Sequence, residues 1–401
     1  MNQIQVLILK CLILTIYISH SLTFNIHNNQ NSLRNRHFNF NCKHNGKNVN
    51  NYMNNGFNNK NSLNMIESNS RNLNSGAVKM IKKAKMKEIN KIQTALDDND
   101  NTDPTIMRLK EYIKTKELST YIGSKHEDFY TSVVDRYDTL NVIPNYEKKT
   151  KTGFILGIPN PDIMSGVLRD AGSRSIVVSM DPRAGGVDSE EFARFTREQQ
   201  RAGTFIPGPI PVVWHDFIVH PLQITLAASC GAAAITLSPE LLENDGSNLK
   251  EQIELCKSLN VEPAIFVKSE SDVQLALNAG ARVVILNNVE IKEALHIKKA
   301  FNPERVVRDS LYNDIVWGAR LRPVGEFSNV EEIDMAWELR DNGFHFVWPS
   351  MEALYAMGME DVYSTIMAMK SKASKEFISP RQFLMDRKKE GAKEYLGDIL
   401  F

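Results

Sequence analysis

Residues 210–237 read IPVVWHDFIVHPLQITLAASCGAAAITL. Two short β-rich runs, 211–217 (PVVWHDF) and 233–238 (AAITLS), enclose an interval that suits a helix. Parallel neighbours need a crossover of about a dozen residues or more, so the stretch reads as a strand, a helix and a second strand. The texture continues on both sides. Further runs are 153–159 (GFILGIP), 175–180 (SIVVSM), 263–268 (PAIFVK), 282–287 (RVVILN), 314–319 (DIVWGA) and 344–348 (FHFVW), which makes eight in all. A helix fits each interval, and a spacing of about 20 to 35 residues between most of the runs suits repeated βα units, eight of which predict an α/β fold closed as a (β/α)8 TIM barrel. An open doubly wound sheet is the rival, but no Gly-rich dinucleotide loop follows the first run.

The flanks are organised differently. Ile106, Leu109, Tyr112 and Ile113 recur at helix-face spacing, so residues 104–148 predict two or three helical pieces, divided at Gly123 and Pro144, that would cap the bottom of the barrel. A basic, helix-compatible stretch, Lys79–Lys91, and an acidic break, Asp97–Asp103, precede them. Residues 371–401 are charged and end on Leu396, Ile399, Leu400 and Phe401, either a solvated helix or one with an apolar foot for docking. The expected organisation is a signal-like segment (1–22), a leader (23–80), a helical extension (81–150), the barrel (151–370) and a helical tail (371–401).

The leader is read as an address. Residues 4–19 (IQVLILKCLILTIYIS) have the length of a signal-peptide core and are short for a bilayer span, with a retained anchor as the alternative. Residues 25–75 are dominated by Asn and interspersed with Lys and Arg, and Glu67 is the first acidic residue of the chain. Such a stretch buries too little apolar surface to fold. A hydrophobic signal followed by a basic, disordered transit-like segment resembles leaders that travel by the secretory route to a secondary plastid of the apicoplast kind; simple secretion is the other destination. Once the leader is removed, no stable membrane span is expected.

With 48 basic and 48 acidic residues the 401-residue chain has no net charge, and nucleic acid is not an expected partner. Cys11 and Cys42 lie in the leader, and Cys230 and Cys256 read as small buried hydrophobes on helices. No spacing suits zinc and no motif implies a cofactor.

The order of motifs in 210–237, together with LNVEPAIFVKSESDVQLALNAGARVVILNN (259–288) and AGSRSIVVSMDPRAGGVDSEEF (171–192), resembles the indole-3-glycerol-phosphate synthase family over about residues 155–360. The resemblance implies decarboxylating ring closure of carboxyphenylamino deoxyribulose phosphate to indole-3-glycerol phosphate, a step of tryptophan biosynthesis. That chemistry needs a cation for the substrate carboxylate, an acid for the ketone oxygen, a carboxylate for proton transfer and a phosphate grip after strands seven and eight.

Carried over residue by residue, the family pattern is mostly substituted. Its third-strand Lys before Asp-Phe is His215 here, before Asp216 and Phe217, which reads either as a replacement acid or as a strand-end His held by hydrogen bonds. Its first-strand Glu-x-Lys has no counterpart in GFILGIPNP (153–161), and its fifth-strand Glu is Phe266, with Lys268 two residues further out as a candidate ligand contact. Its sixth-strand Asn is retained as Asn287. In place of Glu-Ser-Gly stand Gly318, Ala319 and Arg320, with Arg322 behind, either a phosphate grip or solvated loop arginines. Its Gly-Ser becomes Pro349-Ser350, where Ser350 remains a phosphate-binding candidate.

These substitutions predict a lyase-type activity that is weak, altered or lost. The alternatives are a non-catalytic binding or structural subunit of a plastid complex, and new chemistry on a related sugar phosphate. A sugar-phosphate or indole-type ligand and a protein partner are the expected contacts. A mouth that brings together His215, Asn287, Arg320 and Arg322 would mark a ligand site; one plugged by Trp214, Phe266, Trp317 and Trp348 would mark a structural barrel.

Overall fold

The computed structural model describes residues 75–118, 129–134, 140–150, 153–154, 160–182, 185–242, 247–287, 290–301, 315–322, 329–355 and 359–371. The readings of residues 1–74 as leader and of 372–401 as tail lie outside these. The strands are β1 (Asn141–Val142), β2 (Asn145–Tyr146), β3 (Lys149–Thr150), β4 (Gly153–Phe154), β5 (Ile176–Ser179), β6 (Val212–His215), β7 (Ala234–Leu237), β8 (Glu262–Val267), β9 (Val283–Asn287), β10 (Val316–Arg320) and β11 (Phe346–Trp348).

The barrel closes through residues 141–146, which Pro144 divides in two. β1 pairs in parallel with β11, and β2 pairs in parallel with β5. Proline has no N–H for a ladder. On one side the ladder therefore ends where Ile143 donates its N–H to Val347 O at 2.9 Å; on the other, Pro144 O accepts from Val177 N at 2.9 Å. From β5 to β11 every neighbouring pair is parallel, so the split segment and seven further strands make a (β/α)8 TIM barrel.

Those seven strands coincide with seven of the eight expected runs. The eighth, 153–159, is a correction: Gly153–Phe154 pairs antiparallel with Lys149–Thr150, away from the barrel sheet, and 155–159 lie outside the described residues. A Pro and two Asn weaken the β signal of NVIPNY (141–146). Its backbone is nonetheless held from both sides, so tertiary closure overrides local propensity.

After each barrel strand the chain turns into a helix: Pro161–Asp170, Ser189–Arg201, Pro221–Ser229, Ser247–Ser258, Glu270–Asn278, Ile291–Phe301 and Val330–Asp341, and after β11 Met351–Leu354 followed by Met359–Lys370. Strand residues alternate between two cores. Val177, Val213, Ala264, Phe266, Ile285, Phe346 and Trp348 fill the barrel interior. Val178, Trp214, Ile265, Val284, Trp317 and Val347 pack in the outer layer beneath the helices. At Gly318 a Cβ would lie 2.1 Å from the Phe346 ring, so the aromatic residue crosses the interior where β10 has no side chain. Cys256 is buried on its helix and Cys230 is buried at the C-cap of another.

Of the 104–148 segment expected to cap the bottom of the barrel, one described helix does so and the other packs on the outer layer. The helix Phe129–Val134 is at the bottom: Phe129 meets the Phe346 ring with centroids 6.0 Å apart, and Asn141 Nδ2 donates to Val133 O at 2.7 Å. The helix Pro104–Leu118 packs on the outer layer, where Arg108 reaches Glu190 at 2.6 Å. The helix Ser75–Asp97, whose first turns were read as leader, sends Lys85 to the opposite end. There its Nζ lies 2.6 Å from Asp216 Oδ1 and 3.8 Å from Asp181 Oδ2, just beyond the ends of β6 and β5. No helix among the described residues is long and apolar enough to cross a membrane.

Candidate functional site

Counting by twos from the interior residues Ile143, Val177, Val213, Ala234, Ile285 and Val316 places Asn145, Ser179, His215, Thr236, Asn287 and Arg320 on the inner face at the C-terminal rim, with Phe266 and Trp348. This is the end where barrels of this class carry their sites.

Three rings meet across the rim. His215 lies edge-on to Phe266 at 5.5 Å and to Trp348 at 4.8 Å, and Phe266 and Trp348 are 5.5 Å apart. Of the four aromatic residues expected at the mouth, Phe266 and Trp348 face it. Trp214 and Trp317 are one residue out of phase with the inner face and pack outward, Trp214 against Phe192 at 4.8 Å.

The His215 imidazole shares a hydrogen bond with Thr236 Oγ1 through Nδ1 at 2.9 Å. Burial, then the charges of Arg320 and Lys85, push its pKa well below the ordinary histidine range. That direction favours the neutral ring, and of the two readings of His215 the hydrogen-bonded strand-end His matches this geometry. Neutral imidazole is a poor acid, although it still offers a hydrogen bond.

Moving strand one to 141–146 reveals residues the sequence reading missed. Glu147, just past β2, accepts hydrogen bonds at Oε1 from Asn145 Nδ2 and from Ser179 Oγ, each at 2.6 Å. The expectation that this strand end holds no ionisable residue is therefore corrected. Alternation counted from the true strand would have found Asn145 and Glu147, but the more β-like GFILGIP drew the assignment away.

Asn287 and Arg320 are register partners on β9 and β10. The Arg320 guanidinium lies 4.9 Å from the Trp348 ring centre, and Asn287 Oδ1 is buried without a hydrogen-bond partner among the described residues. Arg322 sits two residues beyond, half-buried. Lys268 is held by Glu240, at 2.7 and 2.9 Å from its two oxygens.

Ser350 caps the helix Met351–Leu354, but its own donors turn inward. Its N–H donates to Glu332 Oε2 at 2.9 Å and its hydroxyl to Glu332 Oε1. Glu332 is fully buried, and burial pushes its carboxyl up to about 7 against the opposing Ser350 hydrogen bonds. The chain thus places its own acid on the donors that a phosphate would use. Among the described residues no group of three or more His, Cys, Asp or Glu could hold a metal ion.

Residues 203–303, from before β6 to the helix after β9, match the family model described as indole-3-glycerol phosphate synthase. The chain is 30% identical over 149 residues to the indole-3-glycerol phosphate synthase of Carboxydothermus hydrogenoformans, an alignment covering 36% of this chain and 55% of that one. With the enzyme of Ruminiclostridium cellulolyticum it shares 37% over 83 residues, 21% of this chain and 31% of that one. With that of Deinococcus radiodurans it shares 24% over 174 residues, 43% of this chain and 60% of that one. The chain therefore spans about half the length of the first of these relatives. The matched segment supplies the third to sixth barrel strands, and over it the chain is similar to indole-3-glycerol phosphate synthases, as the motifs of residues 171–288 imply.

Proposed function

We propose that this barrel has lost efficient ring closure and serves as a ligand-binding protein of the indole-3-glycerol phosphate synthase type. The observation that carries the reading is the setting of His215, an imidazole hydrogen-bonded to Thr236 and packed edge-on against Phe266 and Trp348 where the family resemblance calls for a lysine. Loss of one general acid forfeits about two to four powers of ten in rate. The capture of Ser350 by Glu332 supports the same reading, because it weakens any phosphate grip there. Given carboxyphenylamino deoxyribulose phosphate, the purified chain is expected to produce no indole fluorescence above background. Turnover that disappears in His215→Ala would overturn the proposal.

The reading extends to a plastid, reached through residues 1–80, whose signal-like core and Asn-rich basic stretch support it. A fluorescent protein fused behind these residues is expected to accumulate in a secondary plastid of a host that has one. Accumulation in the medium would favour secretion instead.

A further inference from the structure

We propose that the mouth takes a small, unphosphorylated carboxylic acid bearing a hydroxyl or amine beside its carboxylate. The inference rests on the reading of the mouth as a binding site and names the chemistry of its ligand.

Arg320 and Asn287 set the requirement. No side-chain ion pair or hydrogen bond of Arg320 is formed among the described residues, and its guanidinium lies over the face of Trp348. A guanidinium offers five donors in a plane suited to a carboxylate. Its register partner Asn287 has a buried side-chain oxygen with no donor to satisfy it. A buried acceptor left in this state is unfavourable. Neighbouring strands lie about 4.8 Å apart. One ligand would complete both residues if it carried an anionic oxygen for Arg320 and, close beside it, an N–H or O–H for Asn287.

Phosphate fits less well, for two reasons. A phosphate dianion has no hydrogen to give Asn287. Where a phosphate grip would be expected, after β11, the Ser350 N–H and hydroxyl already serve the fully buried carboxyl of Glu332. Phe266 and Trp348, both buried, make the wall beside Arg320 apolar, which suits an uncharged remainder on the acid.

The test uses the full chain and three probes, titrated by calorimetry: mandelate, with a phenyl ring, a carboxylate and an adjacent hydroxyl; phenylacetate, which lacks the hydroxyl; and phenyl phosphate. Mandelate is expected to bind about ten-fold more tightly than either of the others. Arg320→Gln is expected to weaken both carboxylates by about ten-fold or more. Asn287→Leu is expected to abolish the preference for mandelate while leaving phenylacetate unchanged, with near-UV circular dichroism showing that both variants keep the native core. Equal or tighter binding of phenyl phosphate, unchanged affinity in Arg320→Gln, or no binding of mandelate would each overturn the inference. The ring-closure assay separates the two proposals: turnover sinks the proposed function, whereas no turnover together with no mandelate binding sinks this inference alone.

Discussion

Replacing Lys85 by Met is expected to destabilise the protein by about 3–5 kcal/mol, the range found when one partner of a buried ion pair is removed. Lys85 is 3% exposed, and its ammonium lies between Asp216 and Asp181. Burial alone would lower its pKa, but Asp216, by charge and hydrogen bond, and then Asp181 and Glu88 outweigh it, and the net direction is upward. Without the lysine, two carboxylates at the ends of adjacent strands would face each other with little water. Urea unfolding at pH 7 measures the cost. Lys85→Met combined with Asp216→Asn should recover a substantial part of it, because the uncompensated charge goes too. A cost below about 1 kcal/mol would mean that this pair does not hold the N-terminal helix against the barrel.

Glu332→Gln is expected to act in the opposite direction, increasingly as pH rises above about 4.5 and fully above about 7. The folded-state pKa of Glu332 is about 7 against an ordinary 4.5. Between these values the native state keeps a proton that the unfolded chain releases, so its contribution to stability is greatest below 4.5 and falls as pH rises toward 7. From pH 5 to pH 8 the wild type is expected to lose about 2.5 kcal/mol relative to the Gln variant, whose amide does not titrate. Urea midpoints for both proteins at the two pH values check this. Parallel pH dependences would show that the carboxyl is already ionised at pH 5, with Ser350 compensating its burial in full.

Seven barrel strands are legible because each is a short apolar run between turn-forming residues, and a parallel strand buried on both faces has that composition. The two cysteines are legible for the related reason that small apolar side chains favour packed helix surfaces. The strand that closes the barrel is not. NVIPNY has poor β propensity, and its pairing comes from β11 and β5, which lie about 30 residues downstream in one case and 200 in the other. That displacement also hid Asn145 and Glu147.

By itself, the sequence determined the repeated βα pattern, the resemblance to indole-3-glycerol phosphate synthases and the substitution of His215 for the family's lysine. These are properties of residue type and order, which need no coordinates. Tertiary structure decided which aromatic residues face the mouth, since Trp214 and Trp317 differ from Phe266 and Trp348 only in the phase of a two-residue alternation. It also decided what each polar group does: Lys268 is taken by Glu240 and Ser350 by Glu332, while among the described residues Asn287 Oδ1 has no hydrogen-bond partner and Arg320 lies over Trp348. Those partners come from distant turns of the chain. Hydrogen bonds and ion pairs form only at contact distance, so no local reading of the sequence could assign them.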